Sequence, residues 1–145
     1  MSLPPVPAPV QGMRWGRVLA VWGVIAVVES VHGTLRQLFL APLVGDLQAR
    51  QLSVFTASLL IFLVAWSFAS WMDLRGRAAF VLAGLAWVVL TIAFEVVLAR
   101  AMGMPMSRLL QEYDLSQGGL MAFGVAWLVC VPWVATLVRR RRSRR

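Results

Sequence analysis

Glu29, His32 and Arg36 stand three and four residues apart inside an otherwise apolar stretch. At about 100° per residue, a helix brings all three within roughly 60° of one another on one face. An acid, an imidazole and a guanidinium in that order can pass a proton, hold an anion, or close on themselves as ion pairs. A second acid, Glu95, lies in a later apolar run with Thr91 and Gly84 on its face. An ionised group in the bilayer core costs about 2.5–3.5 kcal/mol on insertion scales, so such groups pair or face a cavity. The residue types predict Glu29 or Glu95 paired with Arg36, and His32 bridging to the other acid. Imidazole changes charge near neutral pH. A proton relay or polar pocket is therefore one reading, and a charge-satisfied clamp between two helices is the other.

Those residues need spanning helices to hold them, and the composition supplies them. The 145 residues are 60% apolar and 14% charged, far from a soluble domain. About 20 apolar residues cross a hydrocarbon core of roughly 30 Å. The runs 52–71, 78–99 and 118–138 meet that length. The first run is apolar only from Val18 to Val28, so it spans only if the helix continues through Glu29, His32 and Arg36. That gives a first span over about 15–40, ended by Pro42 and Gly45; a re-entrant segment is the alternative. The expected fold is an all-α membrane protein, a four-transmembrane-helix bundle with both termini cytoplasmic. Its domains are a Pro-rich disordered tail over 1–14, the membrane domain over 15–138 and a basic tail over 139–145.

Orientation follows from arginine, the sole basic residue type among the fourteen, a usage typical of GC-rich genomes. Arg14, Arg17, Arg75, Arg77 and six arginines between Arg139 and Arg145 fall on one side. Arg36, Arg50, Arg100 and Arg108 fall on the other, diluted by Asp46, Glu112 and Asp114. That is a positive-inside signal for a multi-pass protein of a bacterial inner membrane. The outer-boundary positions to watch are Asp46, Arg50, Arg100, Arg108, Tyr113 and Asp114. In the second outer loop, Met106 to Tyr113 reads as a short amphipathic helix lying on the membrane surface. Asp114 and Gln117 can cap the start of the fourth span. Gly118, Ala122 and Ala126 form a small-xxx-small ridge.

Other chemistry has little support. The Met102, Met104 and Met106 cluster could hold copper(I), yet interfacial packing explains it better, and neither metal nor cofactor is expected. Cys130 has no partner for a disulfide. Ser30 sits about 100° around the helix from Glu29. The RRRRSRR tail reads as a stop-transfer anchor drawn to anionic headgroups, not as a nucleic-acid site.

Two segments, Glu29–Phe55 and Ala93–Leu120, carry a resemblance. Gly33, Leu35, Arg36, Pro42, Gly45, Ala49, Arg50 and Gln51 form its first part; Phe94, Glu95, Leu109, Leu110, Tyr113 and Asp114 form the second. Together they resemble a group of small uncharacterised bacterial inner-membrane proteins with four predicted spans. The resemblance implies no activity. Gly118-Gly119 stands where that group has Gly-Arg. Three functions then compete. An accessory or assembly protein for a larger membrane partner ranks first, a homo-oligomeric proton-coupled or cation transporter or channel second. A lipid-modifying enzyme, with His32 as base and Arg36 holding a phosphate, ranks last.

Overall fold

The structure is a computed structural model that describes residues 12–144. It is all-helical over those residues, and four stretches are long and apolar enough to cross a membrane: Trp15–Val44, Asp46–Met72, Arg77–Ala101 and Met121–Arg142. The chain is thus built as a multi-pass membrane protein. The first stretch runs 30 residues, about 45 Å at 1.5 Å per residue, more than the bilayer core requires. It runs as one helical stretch, without the reversal that a re-entrant segment needs. The Pro-rich tail expected over 1–14 lies, through residue 11, outside the described residues, and Met13 already packs on the core.

The first stretch is not a uniform helix. α1 covers Trp15–Leu35, a π-helical turn covers Arg36–Leu40, and α2 covers Ala41–Val44. Pro42 has no N–H to offer the carbonyl one turn back, and the preceding five residues adopt the wider turn, closed by Ala41 N–H on the Arg36 carbonyl. Gly45, at φ 87°, takes a backbone that other residues rarely adopt and ends α2. α3, Asp46–Met72, starts at once, six residues before the expected second span, and Asp46 puts an acid in its first turn. α4 covers Arg77–Ala101, α5 Met106–Tyr113 and α6 Met121–Arg142. The basic run expected as a tail is thus helical through Arg142.

Three tryptophans fix the bundle's register. Trp87, fully buried, donates its indole N–H to the Val18 carbonyl at 3.0 Å. Trp22 donates to Thr91 Oγ1 at 3.1 Å, and Trp127 to the Ser58 carbonyl at 3.0 Å. Each bond joins residues 69 apart in sequence. The shared offset of the Trp22 and Trp87 bonds means that α4 runs parallel to α1, and Trp127 on Ser58 with Arg139 on Trp66 makes α6 parallel to α3. At the end carrying both termini, Arg17 donates to the Trp71 carbonyl and lies over the Trp71 ring. Arg139 does the same with Trp66, adding the Ser67 carbonyl. Arg140, Arg141 and Arg144 stay exposed.

The apolar core occupies the terminal half of the bundle. Val18, Val21 and Ile25 of α1 meet Ile61, Ala65 and Met72 of α3, Ala83 and Trp87 of α4, and Leu128, Val131 and Ala135 of α6. α4 and α6 approach most closely at Gly84, where an added Cβ would lie 2.4 Å from the Val129 carbonyl oxygen. The expected ridge of Gly118, Ala122 and Ala126 does not make this contact. Gly118 precedes α6 in a left-handed conformation, and both alanines are exposed.

Gly84→Ala should therefore lower the thermal stability of the detergent-purified protein by about 1–3 kcal/mol, the usual cost of overpacking. Gly23→Ala, with nothing within 4 Å of its new Cβ, should be neutral or stabilising by up to about 1 kcal/mol. Thermal melts of the two variants, side by side, check the packing.

Candidate functional site

At the end opposite the termini, polar side chains replace the apolar core. Glu29 and His32 are one helical turn apart, with Glu29 Oε2 3.4 Å from His32 Nδ1. His32 Nε2 lies 2.8 Å from Thr56 Oγ1, across on α3. The Thr56 hydroxyl donates to the Ser53 carbonyl at 3.1 Å. With that proton committed, Thr56 Oγ1 is left to accept from His32 Nε2–H, while Nδ1 faces the Glu29 carboxyl. Side by side, an acid and an imidazole can offset one another's cost inside a membrane.

Glu95 finds a different partner from either expected one. Its Oε2 accepts from the Tyr113 hydroxyl at 2.9 Å, tying α4 to the end of α5. Tyr113 is half-buried, and burial pushes its phenol above the ordinary value near 10, with the Glu95 carboxylate adding to the shift. The phenol therefore remains a donor.

A third group closes the loop over the bundle. Asp46 Oδ2 receives Nη2 of both Arg50 and Arg108 at 3.3 Å, and Arg50 Nη1 lies 3.6 Å from Glu112 Oε1. Asp114 accepts from Ser116 N–H, Ser116 Oγ and Gln117 Nε2 at 2.9, 2.6 and 2.9 Å. The Ser116 bonds, first among these, hold its carboxyl below the usual range. This is a cap, but of the 3-10 turn Leu115–Gln117 and not of α6, whose first turn has no side-chain cap. Gly119 is pressed against α5: a Cβ there would come within 2.4 Å of the Glu112 carbonyl oxygen and 2.5 Å of that of Gln111.

The sequence ladder is thus divided. Glu29 and His32 remain together, but Arg36 pairs with neither acid, which corrects the expected pairing with Glu29 or Glu95. Among the described residues it forms no ion pair, and its Nε is buried without a partner. Its side chain lines a cleft of about 210 Å³ with Arg50, Gln51, Glu112 and Gly118. Arg100 is exposed and unpaired among the described residues. Sequence reasoning missed Thr56 and Ser53, polar positions in an apolar span whose spacing alone does not point to α1. Searches against protein-family models, curated proteins and solved structures found no match to this chain. The site is therefore read from its geometry.

Tyr113 is the sole tyrosine, so an alkaline absorbance titration reads it without interference. Its ionisation should begin above pH 10 in the folded protein and move down in Glu95→Gln. Because the folded phenol holds its proton more tightly than the unfolded one, its contribution to stability is present below about pH 10 and declines as pH rises toward the folded value. Tyr113→Phe leaves Glu95 without its donor and should cost about 1–3 kcal/mol, seen as a lower melting temperature and faster proteolysis of the 102–120 segment.

Proposed function

We propose that the chain is a multi-pass bacterial inner-membrane protein with both termini cytoplasmic, acting as an accessory or assembly subunit for a larger membrane protein. In this orientation α5 lies at the outer surface, with its charged face toward the headgroups. The observation that carries the proposal is the unsealed outer half of α1. Beyond Ile25 neither α1 nor the turns after it bury a residue. Val27, Val31, Leu35, Phe39 and Leu43 are all at least half exposed, alongside the half-buried Glu29–His32 pair. A polar pair left beside hydrocarbon is costly, and a partner helix laid along this face shields it. Ala122 and Ala126 offer a second close-approach surface on α6.

One observation favours a second reading. The Glu29–His32–Thr56 chain joins two titratable groups of α1 to a hydroxyl of α3, as a proton-coupled carrier or channel requires, and four spans make an oligomer necessary for a pathway. A lipid-modifying enzyme remains third, since no hydroxyl or thiol nucleophile stands beside Arg36 in its cleft.

A photo-crosslinking side chain at Val31, introduced into the chain in its native membrane, should give one discrete heterologous adduct. The same group at Val89, 65% exposed on α4, should give none, and Glu29→Gln should weaken the Val31 adduct. An adduct of twice the chain's mass would replace the accessory reading with a homo-oligomer. A pH-driven flux in vesicles, abolished by Glu29→Gln in a normally folded protein, would establish transport instead. Reporter fusions after Ser143 and within 102–105 should report cytoplasm and periplasm respectively.

A further inference from the structure

The cleft beside Arg36 has a chemistry that neither helix pairing nor partner docking uses. Three charged side chains line it: Arg36, Arg50 and Glu112. Asp46 stands just behind, holding Arg50 and Arg108. Arg50 and Arg108 against Asp46 and Glu112 make a balanced network of two cations and two anions. Arg36 is left over, so the cleft carries one positive charge in excess. The Nε atoms of both Arg36 and Arg50 are buried and unpartnered, and a cation held this way at a membrane boundary calls for an anion.

The space beside the guanidinium fits that anion to a lipid. At about 210 Å³ the cleft holds several water volumes of roughly 30 Å³ each, enough for a phosphate group. Its far wall is apolar, made by Leu47, Val54, Leu120 and Met121. Gln51 and Leu120 also line an adjoining open groove of about 450 Å³, together with Gln48, Leu52 and Phe55. Phe55 is 70% and Leu52 51% exposed. A charged recess thus shares two lining residues with a mainly apolar groove along a spanning helix, matching a headgroup joined to an acyl chain. A free phosphate would use only the first half.

We propose that the cleft between α1, α3 and the α5–α6 loop is a binding site for one anionic phospholipid, its phosphodiester on Arg36 and Arg50 and an acyl chain along Leu52 and Phe55. The phosphodiester's single negative charge matches the one excess cation. Guanidinium is suited to this recognition because its planar donors engage phosphate oxygens in pairs. The π-helical turn at Arg36–Leu40 and the left-handed Gly118 shape the two walls. This site does not rest on the partner face along Val27 and Val31.

The full chain, reconstituted in phosphatidylcholine nanodiscs with a minor share of phosphatidylglycerol, should release by native mass spectrometry with one phosphatidylglycerol retained in preference to phosphatidylcholine. Arg36→Gln should reduce that retention about tenfold, the equivalent of about 1.4 kcal/mol. Arg36→Lys should recover part of it, and Arg100→Gln, removing a charge of the same boundary outside the cleft, should leave it unchanged. Phe55→Ser should weaken lipid retention with the charges intact. An unbiased wild-type protein overturns the proposal without reference to any variant. Equal losses in Arg36→Gln and Arg100→Gln overturn it in favour of diffuse surface charge. Inorganic phosphate that displaces the lipid at equal concentration overturns the lipid assignment in favour of a soluble anion.

Discussion

Hydrocarbon offers no hydrogen-bonding partner, so every polar group that enters it must be answered from within the protein or by something brought against it. The terminal half of the bundle answers from within. There the bulkiest polar-tipped side chains, Trp22, Trp87 and Trp127, each bury a large ring and direct one N–H to an oxygen on a parallel helix. A single indole serves packing and register together, because a slip of one residue would both expose the ring and orphan its donor. The apolar core around Val18, Ala65, Ala83 and Val131 packs within the frame these bonds set.

The opposite half meets the same demand by exchange among charged groups. Glu29 and His32 neutralise each other, Tyr113 supplies the donor Glu95 requires, and Asp46 gathers two arginines from separate elements. These contacts span from 3 to 62 residues in sequence, against 69 for each tryptophan bond, and most are more exposed. They hold a short loop helix over the bundle without an apolar core beneath it. That division separates an end with an apolar core from an end held by charges. Arginine at the terminal end behaves differently again, since Arg17 and Arg139 turn back onto α3 carbonyls and tryptophan rings.

Hydropathy made the number of spanning helices and the approximate span centres legible, since three of the runs hold about 20 mostly apolar residues each. The first span was harder to read because its second half carries ionisable groups, and His32 finds its partner, Thr56, on a neighbouring helix. No periodicity within α1 contains that information. Glu95 was legible as a buried acid, but its donor, Tyr113, lies beyond a turn whose course is set by Gly103 at φ 68° and by Pro105. Asp114 was legible as a cap, although the capped element was a three-residue turn too short for hydrophobic periodicity to register. The misplaced residue was Arg36. A straight helix puts it on the Glu29 face, whereas its nearest opportunity in three dimensions is the opening beside Arg50.

Arg36 stands where the regular helix ends. Through Leu35 α1 is an unbroken α-helix, so Arg36 keeps its place on the Glu29 face, yet its guanidinium pairs with neither Glu29 nor Glu95. The π turn Arg36–Leu40 begins at this residue and leads toward Pro42, an irregularity that recurs at functional sites in other helices. Glu29 is then compensated by His32 alone, which leaves the guanidinium unclaimed. A cation without a partner inside the protein is unfavourable for stability by itself, whereas a neutral glutamine at the same position would fill similar space at lower desolvation cost. Its presence beside a second buried guanidinium nitrogen is accounted for by what it can hold, not by what it contributes to the fold.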